Sequence, residues 1–133
     1  MAFTTLEQWE RRLRETLDSV DLALEERYGS QLIRNPRRPA AGTTSSRKYD
    51  GIFAIDSKFS LGLMTGDGPS YIIELRTFTL GPLPPETMEL LLVELGALLP
   101  TALAAAFPNQ ELYVARRDNQ YRIFGDLNFQ QNP

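Results

Sequence analysis

The sequence predicts an α+β domain in which an antiparallel sheet packs against two helices. Three observations favour this class. Apolar residues recur every three or four positions near the N-terminus, short strand-like segments occupy the middle of the chain, and a very apolar helix precedes a hairpin. The predicted element order is α–β–β–β–α–β–β, with about five strands. A chain of 133 residues is expected to form one domain, residues 1–133.

The first helix is predicted to begin at Thr4 or Thr5, because Thr4 with Glu7, or Thr5 with Gln8, matches a capping box. Gly29 is expected to end it. Its apolar residues form a single stripe, in which Trp9 is interpreted as a core anchor: Leu6, Trp9, Leu13, Leu17, Val20 and Leu24.

Residues 30–48 are rich in Pro, Gly, Ser and Thr and contain no acid, which predicts a mobile, solvated loop. Loops of this length are often functional, and arginine binds carboxylates and phosphates well. The alternative is therefore an anion-binding arm. Its candidate ligands are the basic residues of the loop: Arg34, Arg37, Arg38, Arg47 and Lys48.

Three strand candidates follow: Tyr49–Asp56, Lys58–Met64 and Tyr71–Phe78. The segment TGDGPS at 65–70 predicts a turn before the third of them. It does not match a phosphate-binding loop, because no GK[ST] follows and no helix opens there.

The second helix is expected after the proline-rich segment 81–85, and from residue 88 to 107 its only charges are Glu89 and Glu94. Pro100 is predicted to kink the helix or to divide it near Leu99. A helix that is apolar nearly all round indicates two burial partners, its own sheet and a second copy of the chain. The sequence therefore predicts a homodimer, with a seam formed by Leu92, Val93, Leu99 and Leu103.

The last predicted unit is a hairpin of Glu111–Arg117 and Gln120–Leu127, turning at Asp118 and Asn119. This register places Val114 opposite Ile123 on the core face. The other face carries aromatic and arginine side chains, which protein interfaces favour, although scattered surface apolarity is also common. The partner-binding candidates are Tyr113, Arg117, Arg122 and Phe124. The tail, residues 128–133, is expected to be frayed.

The predicted core combines residues from both helices and from the sheet. Its members are Leu13, Leu17, Val20, Ile73, Leu75, Leu91, Leu95, Leu98, Val114 and Ile123.

Composition narrows the range of functions. The chain has no His and no Cys, which removes catalytic triads, the HExxH zinc motif and thiolate chemistry. A carboxylate enzyme built on Asp50, Asp56 and Asp126 is not favoured, because these residues first match turns and strand ends. No catalytic residue, metal ligand or cofactor site is predicted.

Net charge and hydropathy bear on partners and location. A net charge of −3 does not favour nucleic acid as a partner. The N-terminus does not match a signal peptide, and the uncharged stretch near 95–107 is too short to span a bilayer. The sequence thus predicts a cytoplasmic protein without membrane contact.

The element order, the acidic composition and the segment LGPLPPE at 80–86 before a leucine-rich helix resemble class I type III secretion chaperones and their relatives. The resemblance is best over residues 49–127. It implies an antiparallel sheet packed on helices, a homodimer and the holding of a partner protein. Two departures stand out: those chaperones usually carry a further helix after the last strand, and the loop 30–48 is longer here.

The function predicted is thus that of a non-enzymatic, dimeric protein-binding module, chaperone- or adaptor-like, that holds an extended segment of a partner. The alternative is a domain that binds a small anion or ligand through the arginine-rich loop 34–48.

Overall fold

A computed structural model describes residues 5–127 as one layer of helices on one sheet. The elements are α1 (Leu6–Tyr28), a 3-10 turn (Gly29–Gln31), β1 (Phe53–Ser60), β2 (Ser70–Thr77), α2 (Pro85–Ala106), β3 (Leu112–Arg117) and β4 (Gln120–Gly125). The four strands are antiparallel in the order β1-β2-β4-β3. The predicted α+β class is therefore confirmed, with four strands.

The inner parts of the first two strand candidates form the single strand Phe53–Ser60, so the predicted break between Asp56 and Lys58 is wrong, as are the predicted ends at Tyr49 and Met64. β1 pairs with β2 without interruption, and Asp56 lies opposite Glu74. Asp56 lies on the open face of the sheet, where its carboxylate is 2.5 Å from Nε of Arg76. A polar residue there follows from strand alternation and does not indicate a turn.

The ends of α1 match the sequence prediction. Thr5 is the N-cap. Its side chain accepts a hydrogen bond from the backbone N–H of Gln8, and the Gln8 side chain accepts one from the backbone N–H of Thr5. Thr4 lies outside the described residues, as does the tail 128–133. Gly29 is the C-cap, as expected.

α2 is continuous from Pro85 to Ala106, with Pro100 inside it, so of the two predicted effects of Pro100 the division near Leu99 is wrong, while the kink stays a prediction. Pro85 lies at the first turn, where the missing N–H costs nothing. Tyr121 binds this helix from the sheet, because its hydroxyl donates to the Leu92 carbonyl at 2.7 Å.

The hairpin has the predicted register, with Val114 opposite Ile123 and Tyr113 opposite Phe124. Asp118 adopts a φ of 55° in the turn, the left-handed conformation that Asp tolerates. The second strand ends at Gly125, two residues earlier than predicted.

The core lies between the helices and one face of the sheet. Trp9 is buried at its centre and stacks between Tyr71 and Phe107, each 4.9 Å from its ring centroid. Eight of the ten predicted core residues are buried, and the other two, Leu98 and Val114, are partly buried and pack against the core.

By length and composition alone, α2 could cross a membrane, and it is the one helix in residues 5–127 that passes this test. Core helices of soluble proteins pass it too. In this fold the helix buries its leucines in the core that it shares with α1 and the sheet: Leu91, Leu92, Leu95, Leu99 and Leu103.

Candidate protein-binding surfaces

Opposite these leucines, α2 carries a second apolar face that nothing in residues 5–127 covers. Its members are spaced three or four residues apart and are all exposed. We call them the α2 stripe: Leu90, Val93, Ala97, Thr101 and Ala104. Leu90 and Val93 are 49% and 55% exposed. The stripe contains no charge, and contiguous exposed apolar surface on a helix is a candidate for protein binding.

A shallow groove between α1 and α2 adjoins the α2 stripe at Thr101. Its walls are mostly small or apolar side chains, among them Ala23, Leu98 and Ala105. Small side chains on two neighbouring helices let another helix approach closely. The groove therefore widens the apolar surface of the helical layer.

The predicted dimer seam needs a correction. Leu92, Leu99 and Leu103 are at most 2% exposed within the single chain, so their side chains cannot reach a second copy, whereas Val93 is exposed. The spacing of Leu92 and Leu99 does place them on one face, as predicted. Because α2 is apolar on both faces, its sequence did not reveal which face packs on the sheet.

The second candidate surface is the open face of the sheet, which no helix within residues 5–127 covers. Tyr113 and Phe124 lie side by side there with ring centroids 5.6 Å apart. The Arg122 guanidinium lies 4.9 Å from the centroid of the Phe124 ring. The structure thus brings three of the four partner-binding candidates together beside β3, which is an edge strand of the sheet.

Arg117, the fourth candidate, is bound to a residue that the sequence analysis did not single out. Its guanidinium makes two hydrogen bonds with the Asp67 carboxylate, at 2.6 and 3.0 Å. Nε of Arg122 lies 3.9 Å from the same carboxylate. The hydrogen bond from Arg117 is the main cause that lowers the pKa of Asp67 to about 2. The TGDGPS segment, predicted as a turn, therefore also supplies the acid between two arginines.

The basic loop 30–48 is anchored to the body of the protein. Arg47 lies among three carboxylates: Nη2 is 3.1 Å from Asp21 and 2.7 Å from Glu25, and Nη1 is 3.6 Å from Asp50. Asp21 and Asp50 are buried. We call these four residues the Arg47 cluster. With three acids around one arginine, the Arg47 cluster has no excess positive charge. It therefore favours holding the loop in place over binding an anion.

Two carboxylates of the Arg47 cluster have shifted pKa values in opposite directions. Burial raises the pKa of Asp21 to about 7, although Arg47 opposes the shift. Burial also acts to raise the pKa of Asp50. There the hydrogen bonds from Thr44 and from the Gly42 backbone, together with Arg47, outweigh burial, so the pKa is lowered. Of these two carboxylates, Asp21 is thus the one whose negative charge is less well compensated by its neighbours.

Arg38 closes the base of the same loop. Its guanidinium carbon lies 3.8 Å from the centroid of the Phe78 ring, and Nη2 donates to the carbonyls of Lys48 and Asp50 at 2.8 and 3.2 Å. Arg34 donates to the carbonyl of Arg38. These contacts favour an ordered loop, although its mobility stays a prediction for proteolysis to check.

The remaining two anion-binding candidates lie at the edge of these contacts. The Arg37 side chain is exposed and makes no hydrogen bond or ion pair within residues 5–127. The Lys48 ammonium lies 6.0 Å from the centroid of the Tyr49 ring. Because Arg34, Arg38 and Arg47 bind the protein's own acceptors, anion binding by this loop stays a prediction without structural support.

The three carboxylates considered for an enzyme have separate surroundings. Asp50 belongs to the Arg47 cluster, Asp56 pairs with Arg76, and Asp126 follows the end of β4. Among the described residues, no group of three or more His, Cys, Asp or Glu side chains could hold a metal ion.

Comparison with known proteins adds a family and one relative. A protein of Borreliella burgdorferi, described as an uncharacterized protein, is 26% identical over 106 residues, which are 80% of this chain and 83% of the relative. No solved structure matches the chain. A family model described as "Uncharacterised protein" matches residues 4–125. This match covers α1 to the end of β4, and the chain therefore belongs to that family.

Proposed function

We propose that this protein is a non-enzymatic, homodimeric module, chaperone- or adaptor-like, that holds an extended segment of a partner protein in the cytoplasm. The observation that carries the proposal is the α2 stripe, an uncharged face on the helix opposite the core. The absence of His and Cys from the sequence supports a binding role over an enzymatic one.

The α2 stripe suits a second copy of itself. Leu90 and Ala104 lie seven residues on either side of Ala97, and Val93 and Thr101 lie four. In an antiparallel pair with its two-fold axis at Ala97, Leu90 of one copy packs on Ala104 of the other and Val93 on Thr101. Large side chains thus meet small ones at each contact, as close packing of two helices requires.

Charge also favours the antiparallel arrangement. All three acids of α2, Glu86, Glu89 and Glu94, lie in its first half. A parallel pair would bring each acid toward its own copy, which costs free energy. The antiparallel pair instead brings Glu86 toward the end of the other copy's α2, where Arg12 donates to the carbonyl of Ala106.

The open sheet face is the proposed site for the partner segment. It offers the exposed ring of Tyr113 and the half-buried ring of Phe124 next to arginines and beside an edge strand. Edge strands have main-chain groups that can pair with an added strand, and aromatic and arginine side chains are enriched at interfaces. Dimerisation through α2 leaves this face free, because the helices lie on the other side of the sheet.

Cysteine crosslinking tests the dimer, and the absence of native cysteines makes it clean. The Ala97→Cys variant should form a covalent dimer with a short bismaleimide, since residue 97 faces itself across the axis. A mixture of Val93→Cys and Thr101→Cys should crosslink between the two variants, while Val93→Cys alone should crosslink poorly.

Glu26→Cys, at an exposed position on α1, is the matched control and should remain monomeric under the same conditions. Efficient crosslinking of Val93→Cys with itself would contradict the antiparallel arrangement. Failure of all stripe variants to crosslink would overturn the α2 dimer.

A further inference from the structure

We propose that Arg117 and Arg122 bind a carboxylate of the partner's extended segment, and that Asp67 occupies this arginine pair while the protein is free. The proposal rests on the protein-binding function above and assigns the chemistry of the segment. That segment carries an Asp or Glu side chain next to apolar residues.

The arginine pair is not matched one to one by acids within ion-pair distance. Two guanidinium groups share the Asp67 carboxylate, with Asp118 acting on Arg117 as a weaker neighbour, whereas the chain as a whole has a net charge of −3. By contrast, Arg76 on the same sheet face is matched one to one by Asp56. A pair of guanidinium groups that shares one carboxylate selects an acidic partner group and disfavours a basic one.

Asp67 leaves one arginine of the pair incompletely bound. The Arg122 side chain is 12% exposed, and its buried Nε has no hydrogen-bond partner in residues 5–127. Its distance of 3.9 Å to the Asp67 carboxylate is too long for a hydrogen bond. Because a buried donor without a partner is costly, a carboxylate placed closer to Arg122 would gain binding energy.

The segment that presents Asp67 has little apolar anchoring. Residues 61–69 join β1 to β2 and contain three glycines with positive φ: Gly62, Gly66 and Gly68. Leu63 and Met64 in the same segment are almost fully exposed, at 82% and 101%. The loop therefore has few apolar anchors, and within residues 5–127 its polar contacts with the open face are made by Asp67: the ion pair with Arg117 and a hydrogen bond of 3.5 Å from Nη2 of Arg122 to the Asp67 backbone carbonyl. Such a loop can move aside when another carboxylate takes the arginines.

The surroundings of the pair define the rest of the ligand. Phe124 lies under Arg122 and next to Tyr113, with Arg117 further along β3. In an extended segment, side chains on one face repeat every second residue. A segment that puts its acid on the arginine pair therefore places an apolar side chain two residues away, on the two aromatic rings.

The test compares three fluorescein-labelled octapeptides by fluorescence anisotropy, each built from the repeat X-Thr-Val-Thr with X as Glu, Lys or Thr. In this repeat X and Val lie two residues apart and so share one face of an extended chain. The wild type should bind the Glu peptide more tightly than the other two. The Asp67→Asn variant should bind the Glu peptide about tenfold more tightly than the wild type, because the internal competitor is gone. Adding Arg122→Gln to that variant should remove the gain.

Asp56→Asn is the matched control, since it frees Arg76 on the same sheet face and should leave all three affinities unchanged. A thermal melt checks that each variant folds. If Asp67→Asn melts lower but gains no affinity for the Glu peptide, Asp67 only fastens the loop and the proposal is wrong. If all peptides bind equally to every variant, the acidic specificity fails while the protein-binding function stands. If no peptide binds any variant, this inference fails, and so does the assignment of the open face to the partner.

Discussion

The two faces of α2 differ in how fully the single chain uses them. The face toward the sheet carries five buried leucines and accepts a hydrogen bond from Tyr121 at the Leu92 carbonyl. The opposite face, the α2 stripe, is equally free of charge but exposed. The apolar residues of a helix indicate how much of its surface has to be buried. The fold determines which face packs in the core and which face is left for a partner.

The largest expected effect comes from truncating a leucine on each face. Leu99→Ala removes a fully buried side chain and should cost about 2–5 kcal/mol of unfolding free energy at any protein concentration. Leu90→Ala should change the stability of the monomer by no more than about 0.5 kcal/mol. Urea unfolding over a hundredfold range of protein concentration measures both. If Leu90→Ala proves as costly as Leu99→Ala at the lowest concentration, the faces are assigned wrongly.

A smaller effect is expected at neighbouring positions of the same helix. A Cβ added at Gly96 would lie 2.2 Å from the Tyr121 hydroxyl oxygen, so Gly96→Ala must displace that side chain. Overpacking should cost about 1–3 kcal/mol, which exceeds the gain of about 1 kcal/mol in helix propensity. Ala97→Ser, one residue further on, should leave the melting temperature of the monomer almost unchanged. A Gly96→Ala protein that melts above the wild type would show that Tyr121 moves at little cost.

The inner face of α1 differs from that of α2, because it buries the carboxylate of Asp21 whereas the buried residues of α2 are all leucines. The pKa of Asp21 is about 7 in the folded protein, against 3.8 for the ordinary carboxyl. The folded state then holds a proton that the unfolded chain has released, so stability should fall as pH rises from about 4 to about 7. The slope cannot exceed about 1.4 kcal/mol per pH unit for one group.

Asp21→Asn should flatten this slope in chemical unfolding at fixed protein concentration. Asp67→Asn is the control. The wild-type Asp67 carboxyl has a lowered pKa of about 2, so its contribution to stability changes below pH 4. The slope from pH 4 to 7 should therefore persist in this variant. A wild-type protein whose stability rises over this range would contradict the assignment to Asp21.

Local patterns predicted most of the fold. Helical spacing, the capping box at Thr5 and the turn at Asp118 each depend on neighbouring residues, and the structure has all of them. The break at Asp56 was wrong because a polar residue on the open face of a strand resembles a turn signal. The division at Pro100 was wrong because the packing of α2 on the sheet outweighs the hydrogen bond that proline removes.

The candidate sites were harder to predict because they depend on contacts between distant segments. The arginines of loop 30–48 suggested an anion site, but Asp21 and Glu25 on α1 lie beside Arg47. Arg117 and Arg122 were predicted for partner binding, but their acid comes from residue 67, fifty positions before Arg117. A single sequence shows which residues are charged but not which charged side chains lie in contact.

Light scattering coupled to gel filtration tests the central claim, that the α2 stripe forms a homodimer. The chain has a mass of 15.0 kDa, so the wild type at high micromolar concentration should elute with about twice that mass. Val93→Glu places a charge within the stripe, four residues from the axis at Ala97, and should give a folded protein of 15.0 kDa, since Val93 is exposed in the single chain. A wild type that stays at 15.0 kDa, or a Val93→Glu variant that remains dimeric, would contradict the account.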